Sequence, residues 1–279
     1  MSAVKKRGMP PGAWMVIPLL LVMAAGFNLP LLVMLGKSLF IDGRFTLSSY
    51  MALMETSVYA KVLGNTFKIA VLSTVLCVLL GYPLAYWLRG LPSKWQMVGL
   101  AAIVIPFWIS ILVRTYAWIV IMGNAGIVNR TLAGLGWIKA PIPFLYNELG
   151  VVIGTVNVLL PFLVLPLFAS MSKIDDRILS AAQTLGAGRA TIFWRVFFPL
   201  SVPALAAGAI LVFILTLGFY ITPAILGGGR VPMIANMLDL LINQMPSWEL
   251  ASSISVALLA FTLIFFAFYL RFTNEERHA

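Results

Sequence analysis

The sequence predicts an all-α integral membrane protein with six transmembrane helices. Hydrophobic residues make up 61% of its 279 residues, and charged residues make up only 10%. A soluble domain carries about 25% charged residues, so these charges are too few to cover a water-exposed surface. Several apolar runs reach the roughly 20 residues that a helix needs to cross the hydrocarbon core of a bilayer. Residues 1–279 are therefore expected to form a single membrane domain.

Each predicted span is an apolar run bounded by polar or basic residues. The first run follows Lys5, Lys6 and Arg7, but it is too long for the core of a signal peptide, so we expect a retained span. Prolines such as Pro106 lie inside spans, where neighbouring helices can satisfy the carbonyl groups that proline frees. The six predicted spans are 14–35, 65–88, 97–122, 149–170, 198–222 and 251–270.

The basic residues predict the orientation of the chain. With both termini in the cytoplasm, eleven of the 19 Lys and Arg residues fall on the inner side and seven on the outer side. This distribution follows the positive-inside rule and places residues 173–199 in the cytoplasm. The outer segments 36–64, 123–148 and 223–250 are long for turns, and we expect them to contain short interfacial helices.

Several classes of chemistry are missing from the sequence. It has no G-x-x-x-x-G-K-[ST] phosphate loop. The one glycine cluster, at residues 227–229, is followed by Arg230 and not by Lys. One cysteine, Cys77, and one histidine, His278, are too few for a metal cluster. A Ser-His-Asp set is not expected either, because His278 lies in the terminal tail. No cofactor is therefore expected. Nucleic acid is not an expected partner, since the positive charges form no basic stripe.

The predicted spans also lack carboxylates. No Asp or Glu falls inside any of the six. Secondary transporters commonly use protonatable or ion-binding carboxylates at mid-membrane depth. We therefore expect the energy for transport to come from outside this chain, and a stand-alone secondary transporter or a membrane enzyme remains the alternative class.

The polar stretch 173–199 predicts two short helices outside the membrane. Asp175 or Asp176 can cap the first helix, because a short carboxylate accepts its unpaired N–H groups. Gly186 is placed to end it, as a glycine after a helix often does. The second helix is expected within 189–198, and Pro199 marks the return to the bilayer. One face of the first helix carries mostly small apolar residues at helical spacing, namely Ile178, Ala181, Ala182 and Leu185.

This stretch resembles the cytoplasmic coupling loop, or EAA loop, of ABC-importer permeases. That family reads E-A-A-x-x-x-G, followed by about nine residues, an apolar position, x and L-P. Ser180 stands where the family usually has Glu, whereas the alanines, the glycine and Phe198-Pro199 match. The plainer interpretation is an amphipathic loop that any polytopic protein could have. The resemblance implies ATPase-coupling roles for Ser180, Ala181, Ala182, Leu185, Gly186, Ala187 and Pro199.

Other stretches resemble spermidine/putrescine-type permeases in particular. These are residues 65–67 and 81–86 in the second span, 112–118 with Gly126 and Asn129, and 218–223 followed by 226–228. The resemblance implies a bacterial inner-membrane importer of polyamines. Its partners would be two ATP-binding cassette subunits, a second, distinct permease chain, an extracytoplasmic solute-binding protein and membrane lipid. Permeases for ferric iron, thiamine, aminophosphonates and amino-acid derivatives share the architecture and remain open.

A substrate pathway is expected to use five residues. Tyr116, Trp118 and Tyr220 offer aromatic faces that attract cations, and Asp239 offers a carboxylate near the outer mouth. Arg114 is the one charge well inside a span, which marks it as a functional candidate. It either faces the pathway, where it would repel a cation and attract an anion, or it snorkels and pairs with neighbouring carbonyls.

Overall fold

The structure is a computed structural model that describes residues 16–41 and 43–275. Within those residues, six helical segments are long and apolar enough to cross a membrane, which confirms the predicted number. The basic N-terminal residues Lys5, Lys6 and Arg7, together with Arg277 and His278, lie outside the described residues. The six segments are Ile17–Leu39, Ser57–Arg89, Ile111–Gly134, Glu148–Met171, Arg189–Leu217 and Trp248–Ala267.

The secondary structure is almost entirely helical, with π-helical turns at Ala24–Asn28, Phe193–Phe197 and Leu240–Gln244. Two short strands, β1 (Phe40–Ile41) and β2 (Arg44–Phe45), form an antiparallel hairpin after the first span. The α-helices are α1 (Ile17–Met23), α2 (Leu29–Leu39), α3 (Ser48–Glu55), α4 (Ser57–Arg89), α5 (Ser93–Val104), α6 (Ile111–Met122), α7 (Ile127–Gly134), α8 (Glu148–Met171), α9 (Asp176–Thr184), α10 (Arg189–Ile192), α11 (Phe198–Leu217), α12 (Ile221–Leu226), α13 (Ile234–Asp239) and α14 (Trp248–Glu275).

The core is formed by α4, α8 and α11. Helices α4 and α8 run parallel: the Lys68 ammonium pairs with Glu148 at the start of α8, and Arg89 bonds the Met171 carbonyl at its end. Leu163, fully buried on α8, lies where Gly81 of α4 and Gly208 of α11 face it. The absent side chains let the three helices approach closely, as small residues do in membrane bundles.

The third span differs from the prediction of one helix over 97–122. Helix α5 ends at Val104, a 3₁₀ turn follows at Ile105–Trp108, and the helix restarts only at Ile111. The physical reason is Pro106, which has no N–H and clashes with the carbonyl four residues earlier. Hydropathy alone does not show such a break, because the residues on both sides are equally apolar.

The outer segments contain short helices, as expected: α3, α7 and α13 lie within them, and α12 begins at Ile221, two residues before the last segment. Helix α13 is fixed to the core because the Ile234 N–H donates to Thr66 Oγ1 on α4 at 2.9 Å. Asn129 is buried on α7, where its amide bonds the Gly123 carbonyl and both backbone groups of Ile142. These bonds give the outer loops defined positions relative to the spans.

No residue in the apolar window of the first span is buried. Residues such as Leu19, Leu20 and Val22 each expose more than half of their surface. An apolar surface of this extent needs a non-aqueous cover, which a bilayer supplies.

Candidate functional site

The polar stretch contains one well-defined helix, α9. The Asp175 carboxylate accepts the Arg177 N–H at 2.9 Å and so caps the N-terminus, which confirms one of the two predicted caps. At the other end the Gly186 N–H donates to the Gln183 carbonyl, and the Ala187 N–H donates to the Ala182 carbonyl. This pair of bonds is a Schellman motif, which requires a left-handed residue, and Gly186 has φ +85°. Both ends of α9 are therefore specified by local sequence.

The apolar face of α9 is split between the bundle and the surroundings. Leu185 is 88% exposed, Ile178 is 49% exposed, and Ala181 between them is also exposed. Ala182 is half-buried, beside Leu179. Leu179 packs on a cluster of buried residues from α4, α8 and the turn before α11, namely Ala85, Leu88, Val164, Leu167, Met171 and Phe197. Three of the four predicted face residues are thus accessible from outside, whereas Ala182 lies closer to the bundle.

The second predicted helix is not a separate element. Helix α10 passes through the π-helical turn Phe193–Phe197 directly into α11, so one helical segment extends over Arg189–Leu217. Pro199 lies inside this segment, two residues after the π-helical turn, and does not end it. Ser180 is exposed, and its hydroxyl donates to the Asp176 carbonyl at 2.9 Å.

Arg89, at the C-terminal end of α4, contacts α9 and was not predicted from the sequence. Its guanidinium pairs with the Asp176 carboxylate at 2.5 Å and also bonds the backbone of the α8–α9 turn. In the sequence, Arg89 is one of many basic residues in segments that are predicted to be cytoplasmic. Only the long-range contact distinguishes it from the others.

At the end of the bundle opposite α9, which is predicted to be the outer side, two of the predicted pathway residues, Tyr220 and Asp239, lie together. The Tyr220 hydroxyl donates to Asp239 Oδ2 at 3.0 Å, and the Asn243 amide donates to Oδ1 at 2.7 Å. Asn236 donates to the Tyr220 carbonyl at 3.2 Å. Tyr220 and Asp239 line a cleft of about 400 Å³ together with Gln244. The two asparagines were missed because an isolated Asn carries no functional signal in a sequence.

The electrostatics of this cleft favour a cation. Both carboxylate oxygens of Asp239 are held by neutral donors, so its negative charge is oriented but not cancelled. The hydrogen bond to Asp239 raises the pKa of Tyr220, which lies beyond the end of the fifth span at Leu217. Tyr220 therefore stays protonated at physiological pH and keeps donating to Asp239.

Arg114 lies at the break in the third span, away from the outer cleft. Its Nη2 donates to the Ile109 carbonyl at 3.1 Å, a group that the break leaves without a helical partner. Its Nε has no hydrogen-bond partner among the residues that the structure describes. Arg114 also lines a second cleft, of about 410 Å³, with Phe107, Trp108 and other apolar residues. From this position Arg114 can bond the Ile109 carbonyl and also reach a ligand in the cleft.

The other two predicted pathway residues lie apart from these clefts. Tyr116 is exposed and Trp118 half-buried on α6, and neither lines either described cleft. For a metal, the described residues offer no group of three His, Cys, Asp or Glu side chains.

These features define a polytopic membrane permease: six spans around a parallel α4–α8 core, with a capped helix outside the bundle at the end opposite the Asp239 cleft. Residues 77–277 match the family of binding-protein-dependent transport system inner membrane components. The chain belongs to that family, and it is an inner-membrane permease.

Curated relatives extend the match over most of the chain. The spermidine/putrescine transport system permease protein PotB of Haemophilus influenzae is 34% identical over 259 residues, covering 92% of this chain and 88% of the relative. PotB of Escherichia coli K12 is 33% identical over 237 residues, or 82% and 86% of the two chains. The putative 2-aminoethylphosphonate transport system permease protein PhnU of Salmonella typhimurium is 32% identical over 212 residues, or 74% and 72%.

Solved structures agree on the fold. A bacterial ABC transporter involved in import of the acidic polysaccharide alginate has a chain that superposes with TM-score 0.74 at 15% identity, covering 94% of both chains. The same kind of transporter in complex with its alginate-pentasaccharide-bound periplasmic protein gives TM-score 0.71 at 16% identity, covering 91% of both. The predicted permease fold is confirmed.

Proposed function

We propose that this chain is the membrane-spanning subunit of an ATP-driven importer for polyamines such as spermidine and putrescine. The observation that carries the proposal is the 34% identity to a spermidine/putrescine permease over 92% of the chain. The direct test is competition: unlabelled spermidine or putrescine should inhibit uptake in cells that depend on this permease. Failure of both to compete or to be transported would overturn the polyamine assignment.

The complex would contain this chain, a second permease, two ATP-binding cassette subunits and an extracytoplasmic solute-binding protein. The partner ATPases hydrolyse ATP, since this sequence has no phosphate loop. The exposed face of α9, with Leu185 at its end, docks on an ATPase subunit. Closure of the ATPases moves α9, and the spans attached to it switch between inward- and outward-facing arrangements.

The outer cleft supports a cationic substrate. Asp239 presents an uncancelled carboxylate and Tyr220 an aromatic ring, the two groups that bind an ammonium ion. Their position at the outer end suits the first contact with a substrate released by the binding protein.

The Asp239→Asn variant should reduce uptake about tenfold at low substrate concentration, because a hydrogen bond to a charged group contributes about 1.5 kcal/mol or more. The amide has the same shape, removes the charge and replaces one of the two acceptor oxygens by a donor. The measurement is the concentration dependence of spermidine uptake in whole cells. Glu249→Gln is the matched control, since Glu249 is an exposed carboxylate outside the cleft. Equal effects of the two variants would refute a specific role for Asp239.

A second candidate substrate class is anionic, and Arg114 is the observation that favours it. Arg114 lines a cleft together with aromatic residues, where its guanidinium could bind a phosphonate or carboxylate. If Arg114 binds substrate, Arg114→Gln should lose uptake while the complex stays assembled and hydrolyses ATP. If it serves the broken helix through the Ile109 carbonyl, the same variant should lower the amount of folded protein instead.

The orientation proposed from the basic residues has its own test. Both termini and the segment containing α9 and α10 are placed in the cytoplasm. A cysteine introduced at the exposed position Arg189 should resist a membrane-impermeant thiol reagent in intact cells and react after permeabilisation. Cys77 is buried and leaves the background low. Labelling of position 189 from outside intact cells would reverse the topology.

A further inference from the structure

Arg89 connects three segments at the cytoplasmic end of the bundle. Its Nε donates to the Met171 carbonyl at 2.8 Å, at the end of α8. Its Nη2 donates to the Ile174 carbonyl at 3.1 Å in the following turn and to Asp176 Oδ1 at 2.5 Å in the first turn of α9. A guanidinium group has several N–H donors in a rigid plane, so one side chain can hold all three acceptors at once.

The two partners of the ion pair differ strongly in exposure. The side chain of Arg89 is only 17% exposed, whereas that of Asp176 is 84% exposed. The Arg89 guanidinium also lies 5.0 Å from the centre of the Phe197 ring, at the entry to α11. An ordinary loop arginine that follows the positive-inside rule would extend into water. Arg89 instead folds back on the protein and is held there by backbone carbonyls.

The same end of α4 also holds the segment that follows α9. The Tyr86 ring lies 5.2 Å from that of Phe193 and 5.0 Å from that of Phe197, in edge-on contacts. The Tyr82 hydroxyl lies 2.9 Å from Ser201 Oγ. Helix α4 therefore contacts the chain both before and after the α9 loop, through Arg89 on one side and the tyrosines on the other.

We propose that Arg89 is a positioning residue for energy coupling, which fixes the N-terminal end of α9 to the last turn of the second span. This inference rests on the proposed function, because it assumes that an ATPase subunit displaces α9. The exposed residues Ile178, Ala181 and Leu185 receive the displacement, and Arg89 transmits it to α4. Without Arg89, α9 keeps its own cap, its C-terminal motif and the packing of Leu179, but it loses its polar link to the second span, so its displacement is passed on less effectively.

The first test compares Arg89→Gln with Lys94→Gln. Both remove one positive charge between the second and third spans, but Lys94 is exposed and forms no hydrogen bond or ion pair with the residues that the structure describes. The complex is reconstituted in proteoliposomes with its binding protein, and spermidine uptake and ATP hydrolysis are measured together. Arg89→Gln should keep the ATPase bound and active while uptake per ATP falls at least about tenfold. Lys94→Gln should match the parent chain.

The second test uses Asp176, whose exposed side chain can be changed without affecting packing. Asp176→Lys sets two positive charges against each other and should lower uptake per ATP several-fold. In the Arg89→Gln background the same change should have no further effect, since residues that act through one another are not additive. If the Arg89→Gln chain does not accumulate, uptake per ATP in the Asp176→Lys variant alone decides whether the Arg89–Asp176 pair takes part in coupling.

The outcomes separate the inference from the proposed function. An unchanged ratio of uptake to hydrolysis in Arg89→Gln or in Asp176→Lys would overturn the role of Arg89 while leaving the importer assignment intact. Failure of the parent chain to retain an ATPase subunit, or to move spermidine with ATP, would overturn the proposed function itself.

Discussion

Replacing Leu185 by Glu should abolish ATP-driven uptake while the chain stays folded in the membrane. Leu185 is 88% exposed at the end of α9, so the fold loses no packing when it is replaced. In the proposed complex the same side chain is buried against an ATPase subunit. Losing a buried leucine costs about 2–3 kcal/mol, and desolvating a carboxylate costs more, so docking should weaken at least about 100-fold. The measurements are whole-cell uptake and co-purification of the ATPase.

Two neighbouring variants control for the added charge. Thr184→Glu places a carboxylate in the same last turn of α9 but off its exposed apolar face. Ser180→Glu restores the residue that related coupling loops usually have. Both should retain most of the uptake. Normal uptake in Leu185→Glu, or an equal loss in all three variants, would contradict docking through this face.

The second large effect is expected at Gly81, where α4 packs on α8. A Cβ atom there would lie 2.5 Å from Leu163 Cδ2, and on its other side Leu163 faces Gly208 of α11. Leu163 is fully buried, so it has little room to move. Gly81→Val should therefore destabilise the folded chain by about 1–3 kcal/mol, as overpacking of a close-packed core does. The thermal stability of the detergent-solubilised protein measures this effect.

Gly64 provides the matched control on the same helix. A Cβ atom at Gly64 would meet nothing within 4 Å among the described residues. Gly64→Val adds the same side chain to α4 without a clash and should leave the melting temperature nearly unchanged. Equal stability of the two variants would mean that α4 and α8 are not in close contact at Gly81.

The features that were predictable from sequence depend on local signals. Six spans follow from apolar run length, and both ends of α9 follow from Asp175 and Gly186, which act within a few residues of themselves. The division of the α9 face could not be predicted in the same way. Whether Ala182 or Ala181 faces the bundle depends on where Leu179 packs, which is a tertiary contact.

Interruptions and long-range contacts were harder to predict. Proline does not always break a membrane helix: Pro161 and Pro166 lie inside α8, whereas Pro106 ends α5. The presence of a proline in an apolar run therefore does not by itself show which helix is interrupted. In the same way, Arg89 and Asp176 are far apart in sequence, and nothing near either residue indicates that they pair.

The outer cleft could be predicted from the sequence only in part. Tyr220 and Asp239 were chosen for their chemistry, and the structure brings them within hydrogen-bonding distance. Tyr116 and Trp118 were chosen by the same reasoning, yet they lie outside both described clefts. Residue type therefore predicted what a pathway could use, but not which of the candidates share a site.

The most direct test of the proposed function is spermidine uptake into proteoliposomes that contain this chain with its partner permease, ATPase subunits and binding protein. The proposal predicts uptake that requires both ATP and the binding protein, and that stops when ATP is replaced by a non-hydrolysable analogue. Uptake by this chain alone, driven by an ion gradient without ATP, would contradict it.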